Sequence, residues 1–332
     1  MALKNLLALV VLLGVVGVSF VKAYENSESN PYTKGGLYLG YYRSKCPQVE
    51  YIVRRVTYQY VSANPTLAAA LLRMHFHDCF VKGCDGSILI TSPNKDAERD
   101  APPNLSLKGF EVVNAVKSAI ESECPGVVSC ADVLALVARD AVLVIRGPWW
   151  PVPLGRRDGR ISKISEANLP SPFANVATLK KNFSDKGLNT KDLVVLSGAH
   201  TIGVSSCGLI SKRIYNFTGR GDFDPAMDPN YVMQLKKRCQ PTDVTTIVDM
   251  DPGSVNIFDS HYFDTVAEKK GLFISDSALL NDWETKFYIQ KQVYTHGFTF
   301  NRDFSESMVK LGSVQILTGN QGEIRRRCDL VN

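Results

Sequence analysis

With 332 residues, 45% of them hydrophobic, the chain can bury a sizeable core without covalent help. Its formal net charge of +5 is too small to indicate nucleic-acid binding, and permits only weak attraction to acidic polysaccharide. Eight cysteines, an even number, read as four disulfides in an exported chain, but spacing cannot choose among about a hundred pairings.

The chain opens on Lys4, an apolar run from Leu6 to Phe20, and Val21-Lys22-Ala23. A basic start and small residues before a cut after Ala23 predict a secretory signal peptide over residues 1–23. The competing membrane anchor would need a longer run. Cleavage removes Lys4 and Lys22, so +5 becomes +3. No later segment is apolar for long enough to cross a membrane, so an exported, soluble protein is expected. A polar stretch from Tyr24 to Lys34 reads as disorder, which makes 24–36 a flexible tail.

From residue 37 to 332 the pattern is that of one mainly α-helical domain. Helices are predicted roughly over Val49–Ala63, Thr66–Phe80, Gly109–Ser122, Ser129–Arg146, Val176–Lys186, Thr190–Leu196, Tyr231–Arg238, Ser260–Lys269 and Asn301–Leu317. Ser129-Cys130-Ala131-Asp132 has the form of a capping box, and Thr190 with Asp192 a weaker helix start. Between helices lie Pro102-Pro103-Asn104, Gly147–Pro153, Pro170-Ser171-Pro172 and Gly219–Pro229, the last with room for short strands. No repeat or linker divides the chain, and two lobes around a central cleft are expected.

Chemistry concentrates in Leu72 to Ser87. The run Leu67-Ala68-Ala69-Ala70-Leu71 favours a helix, which puts Arg73 and His77 on one face, four residues apart. An imidazole beside a fixed guanidinium can take a proton from a bound oxygen species while the cation stabilises the developing charge. Asp78, Asp85 and Ser87 offer hard oxygen ligands, and Cys79 and Cys84 could close a small loop. Of the other four histidines, His75, His261 and His296 have no supporting neighbours. His200, in Leu196-Ser197-Gly198-Ala199-His200-Thr201, has small neighbours that would admit a flat group such as haem, or simply a helix end.

Taken in order, five segments resemble the class III, secretory plant-type haem peroxidases. They are Arg73-Met74-His75-Phe76-His77-Asp78-Cys79-Phe80, Gly83-Cys84-Asp85-Gly86-Ser87, Val128-Ser129-Cys130-Ala131-Asp132, Gly155-Arg156-Arg157-Asp158 and Leu196-Ser197-Gly198-Ala199-His200-Thr201. The resemblance runs from about Leu37 to Asn332. It implies the plant peroxidase fold, with two helical lobes around a haem cleft and minimal β structure. It also implies reduction of hydrogen peroxide to water, with phenolic, monolignol-like donors oxidised in one-electron steps.

The same resemblance assigns roles. His77 becomes the distal acid–base, Arg73 the stabiliser of charge separation, and Phe76 a restriction on access to the reacting oxygen. Asn104 would bond His77, with Glu98 supporting that network. His200 becomes the ligand of haem b iron, and Asp276 the acceptor of its other ring N–H. Pro170 would border the donor site. Two calcium ions are implied: a distal one held by Asp78, Val81, Gly83, Asp85 and Ser87, and a proximal one held by Thr201, Asp251, Ser254, Ile257 and Asp259. The family pairing gives Cys46–Cys124, Cys79–Cys84, Cys130–Cys328 and Cys207–Cys239.

Departures from the commonest pattern are Met250 and Leu209, where aromatics are frequent, and Ser254 for threonine. Asn182 and Asn216 head sequons and are glycan candidates, whereas Asn104, also in a sequon, should stay unmodified if it bonds His77. A zinc hydrolase built on His75 and His77 would leave Arg73, His200 and Asp276 unused. A wall-binding protein without catalysis would not need the intact set. The expected protein is a monomer in the extracellular space or cell wall, with no nucleic-acid or membrane partner.

Overall fold

The computed structural model describes residues 35–332; the expected signal peptide and the part of the expected tail before Gly35 lie outside the described residues. Among those residues are twelve α-helices and one two-stranded sheet. At the centre lies α4 (Cys130–Val144), buried at every position from Cys130 to Val142. A helix buried on all sides must be wrapped by others. Accordingly, α1 (Val49–Ala63) and α2 (Thr66–Val81) pack against it, and α3 (Phe110–Glu123) packs on α1 and α4.

A second group surrounds α6 (Thr190–Ser197). It comprises α5 (Val176–Asp185), α11 (Trp283–Tyr294) and α12 (Phe300–Leu311), with α9 (His261–Ala267) on α11. These groups share one hydrophobic core. A smaller core forms beneath α7 (Cys207–Tyr215) and α8 (Pro229–Arg238), from residues such as Ile210, Tyr231, Leu235, Val248 and Met250. No described helix is long and apolar enough to cross a membrane.

Polar groups fix the start of the central helix. Ser129 Oγ accepts from Asp132 N at 3.1 Å, but the Asp132 carboxylate does not reach back to close the expected capping box. It accepts instead from Tyr42 Oη at 2.7 Å, Gly155 N at 2.7 Å and the buried Arg156 at 2.7 Å. The second cap is Asp158, whose carboxylate takes N–H bonds from Cys130, Ala131 and Arg325. Thus Gly155-Arg156-Arg157-Asp158 braces α4. At α6 the cap is Asn189, one residue before the expected Thr190, and it forms a full capping box with Asp192.

Three helices escape the sequence pattern. In α7 the fully buried Arg213 interrupts the apolar stripe, satisfied by Asp224 and the Gly271 and Leu272 carbonyls. In α11 Trp283, Phe287 and Tyr294 face solvent, which blurs its periodicity. The third, α10 (Ile274–Ala278), is too short for a period. The last helix ends at Leu311 rather than Leu317, because the chain turns back at Gly312. Val314 O then accepts from Cys84 N, and Gln315 lies against Gly83, where a Cβ would meet Gln315 O at 2.3 Å.

The strands are β1 (Val204–Ser206) and β2 (Ile247–Asp249), antiparallel with Ser205 opposite Val248, not in the Gly219–Asp228 turn. Gly219 and Gly221 take positive φ there, a turn conformation. All eight cysteines pair as the resemblance implies, Cys46–Cys124, Cys79–Cys84, Cys130–Cys328 and Cys207–Cys239.

Candidate active site

One half of the site is built on α2. Arg73 Nε donates to His77 Nε2 at 3.2 Å, the contact that the four-residue spacing predicts. Its other nitrogens donate to Ser106 Oγ at 3.0 Å and Pro103 O at 2.8 Å, so the turn bearing Asn104 anchors the guanidinium. His77 Nδ1 lies 2.5 Å from Asn104 Oδ1. An amide oxygen only accepts, which puts the proton on Nδ1 and leaves the lone pair on Nε2, facing Arg73. Burial, and then the Arg73 charge, lower the His77 pKa to about 3 against the opposing Asn104 bond. His77 is therefore a neutral base at ordinary pH. Arg73 is solvent-accessible although desolvation lowers its pKa, as befits a side chain lining a recess. Phe76 is half-buried, with its ring 4.5 Å from Phe80 and 5.9 Å from His77.

Glu98 reaches this network differently from its expected role. Its backbone carbonyl accepts from Asn104 Nδ2 at 2.6 Å, fixing the amide orientation. Its carboxylate is buried with both oxygens unpartnered, and burial pushes its pKa up to about 8.

The other half sits where α6 runs into a 3₁₀ turn, Gly198–Thr201. His200 Nδ1 is 2.8 Å from Asp276 Oδ1, a carboxylate on α10 with 1% exposure. The carboxylate fixes the Nδ1–H tautomer and leaves Nε2 free to ligate. Tyr262 and Phe273 meet the imidazole edge-on at 6.0 and 5.5 Å. Gly203 takes φ +91°, and a Cβ there would meet the Ala69 Cβ at 2.9 Å. The chain leaving His200 is thus pressed against α2, one turn before Arg73.

Two oxygen-rich clusters flank these histidines. Beside His77, Asp78 accepts from Gly86 N at 3.0 Å and Ile88 N, and Asp85 accepts from Ser87 N. Burial and the Asp85 charge push Asp78 well above the usual carboxylate range, while Ser87 Oγ is buried without a partner. Val81 O already accepts from Lys186 Nζ at 3.0 Å, and Gly83 O from Asp85 N. Beside His200, Thr201 Oγ1 lies between two carboxylates, 3.1 Å from Asp251 Oδ2 and 3.0 Å from Asp259 Oδ1. Ser254 Oγ lies against Asp259 and 3.3 Å from Ile257 O. His261, without a role in the sequence reading, sits 2.6 Å from Asp251. Among the described residues no three His, Cys, Asp or Glu side chains form a ready metal cluster. The donor sets match a hard cation only when hydroxyls and carbonyls are included.

A family model described as peroxidase matches residues 53–294. The chain is 66% identical to Peroxidase 1 of Arabidopsis thaliana over the full length of both. It is 54% identical to Peroxidase 27 of the same plant, covering 90% of this chain and 92% of that one. It is also 52% identical to Peroxidase 1 of Oryza sativa subsp. japonica, over 88% and 92%. The chain belongs to the class III plant peroxidases.

It is therefore a haem peroxidase, acting on hydrogen peroxide and a reducing donor, with the mainly α fold of its family. The residues fit the cofactor: an imidazole, pinned through Nδ1 by a carboxylate, presents Nε2 beside a turn of small side chains. The zinc alternative has no geometric basis, because His75 is buried against the Cys79 sulfur and His77 Nε2 accepts from the Arg73 guanidinium. Pro170 is half-buried in the loop before α5, and Pro172 O in that loop accepts from Ser275 N beside Asp276. Leu209 is exposed on α7 and Met250 is buried in the smaller core. Asn216 is exposed and Asn182 partly so, while Asn104 is buried with both amide atoms engaged.

The sequence reading of this peroxidase missed Ser106 and Pro103, which hold Arg73. It also missed Arg213, which donates to Ser277 Oγ beside Asp276, and Tyr262, which donates to Asp276. Only the nearness of Ser106 to Asn104 could have signalled any of them.

Proposed function

We propose that His77, Arg73, Asn104 and Phe76 form the peroxide-reacting side of this enzyme, and that His200, backed by Asp276, ligates the haem b iron, one haem per chain. The observation that carries the proposal is the contrast between the two imidazoles. Both have Nδ1–H fixed by an acceptor, but the acceptor is a neutral amide for His77 and a buried carboxylate for His200. An amide orients His77 without charging it, which suits a proton acceptor. A carboxylate makes His200 an electron-rich ligand.

When bound, haem supplies the electron chemistry, taking two electrons to peroxide and recovering them singly from donors. The chain's own part is proton handling. His77 Nε2 takes a proton from hydrogen peroxide, and the resulting imidazolium returns it to the departing oxygen, which leaves as water. Arg73, held by Pro103 O and Ser106, stabilises negative charge as the O–O bond breaks. Asn104, oriented by the Glu98 carbonyl, keeps the His77 tautomer correct throughout.

The Pro170 loop is assigned to the donors, which we read as small phenols and monolignol-like alcohols. The clusters Asp78, Val81, Gly83, Asp85, Ser87 and Thr201, Asp251, Ser254, Ile257, Asp259 are assigned to two calcium ions. Support comes from the unpartnered Ser87 hydroxyl and from the buried Asp78, whose carboxyl burial and the neighbouring Asp85 charge push well above its usual range. Residues 37–332 are assigned to one catalytic domain that follows a signal peptide and tail. The protein is read as a secreted monomer of the extracellular space or cell wall, glycosylated at Asn182 and Asn216, whose net positive charge permits weak contact with wall polysaccharide.

The test is the absorption spectrum of the haem-loaded protein before and after one equivalent of hydrogen peroxide. We expect a haem band that shifts with peroxide, a band of normal intensity with a greatly slowed shift in His77→Ala, and a weakened band in His200→Ala. No haem band in the native chain, or a His77→Ala protein that reacts at the native rate, would overturn the assignment.

A further inference from the structure

Asp276 does not serve His200 alone. Tyr262, on α9, donates its hydroxyl to Asp276 Oδ1 at 3.0 Å, the same oxygen that lies 2.8 Å from His200 Nδ1. The other oxygen, Oδ2, accepts from Phe273 N at 2.8 Å. Tyr262 is 1% exposed, and its ring also packs edge-on against His200 at 6.0 Å and Phe263 at 5.4 Å. Among the described residues the phenol has no other hydrogen-bond partner, so the O–H is committed to this contact.

Two donors on one carboxylate oxygen divide its electron density. Each weakens the bond the other makes, and in a dry interior the effect is little screened. The partner of a metal-bound imidazole sets how much electron density that imidazole gives the metal.

We propose that Tyr262 is a positioning residue which, by sharing Asp276 Oδ1, moderates the electron donation of His200 to the haem iron and thereby sets the Fe(III)/Fe(II) potential. The inference rests on the reading of His200 as iron ligand and Asp276 as its partner. Removing the hydroxyl leaves Oδ1 to His200 alone. The imidazole gains anionic character, the higher oxidation state is favoured, and the potential falls. A residue that merely fills space would leave the potential where it is, because phenylalanine keeps both ring contacts.

The experiment compares haem-loaded wild type, Tyr262→Phe, Asp276→Asn and the double variant. The readouts are midpoint potential by spectroelectrochemical titration and the iron–histidine stretching frequency of the ferrous protein. Thermal unfolding verifies that each is folded. We expect Y262F to shift the potential negative and raise the stretching frequency. D276N should move both the opposite way, and Y262F should add nothing in the D276N background. Y262F without a shift, or with a positive one, beside a responsive D276N overturns the inference alone. An unresponsive D276N overturns the His200–Asp276 couple and the inference with it.

Discussion

His77 shows how one side chain acquires a function from its immediate partners. An isolated histidine titrates near neutrality, but this one is buried beside Arg73 and its pKa is lowered to about 3. A folded pKa below the ordinary value means that the neutral, competent base persists from neutrality down to that value. The rate of reaction with peroxide should hold steady as pH falls and be lost as it passes about 3, as stopped-flow measurement in the acid range would record. Asn104→Asp replaces the neutral acceptor with an anion, which favours imidazolium. The acid limb of the same profile should then move to higher pH. His77→Ala removes the proton acceptor altogether and should slow the peroxide reaction by about 10²–10⁴-fold while leaving haem binding intact.

These residues were legible because helical spacing alone brings Arg73 to His77. Asn104 and Asp276 came only through family resemblance. They lie 27 and 76 residues from the histidines they touch, and no local pattern reports such a contact. Glu98 meets Asn104 through its main-chain carbonyl, which any residue would supply, so its side chain gave no signal for the contact.

Among the elements, α4 and the turn after His200 carry the greatest demands. Asp158 caps α4 from 28 residues away and lies near the buried Arg325. Asp158→Ala should cost about 2 kcal/mol or more in denaturant unfolding, through the lost cap and an uncompensated guanidinium. Gly203 must hold φ +91° against Ala69. Gly203→Ala should destabilise the fold by more than about 1 kcal/mol and loosen haem retention, read from unfolding curves and from haem transfer to an acceptor protein.

Helix prediction succeeded where one face is apolar, as in α1, whose predicted and observed limits coincide. It failed for α7 and α11, where tertiary contacts put a buried arginine inside and aromatics outside. The capping box at Ser129 failed halfway for a similar reason: Tyr42, Gly155 and Arg156 compete for the carboxylate that would have closed it.

At the scale of the molecule, disulfides tie distant parts of the chain together. Cys130–Cys328 spans 198 residues, joining the start of α4 to the C-terminal segment. Replacing both cysteines with alanine should cost about 2–5 kcal/mol and lower the melting temperature. Chelating calcium should lower it further and slow the reaction with peroxide, and restored calcium should reverse both changes. An unchanged melting curve in chelator would remove the two ions from the account.

The sequence by itself determined the helical class and the Arg73–His77 pair, because these depend on composition and local spacing. Tertiary structure alone decided that Asp158 rather than Asp132 completes the cap of α4, that Gly203 presses the His200 segment onto α2, and that Tyr262 shares the carboxylate of Asp276. Each of those depends on atoms brought together across long stretches of chain by burial of a common core, and no local period encodes them.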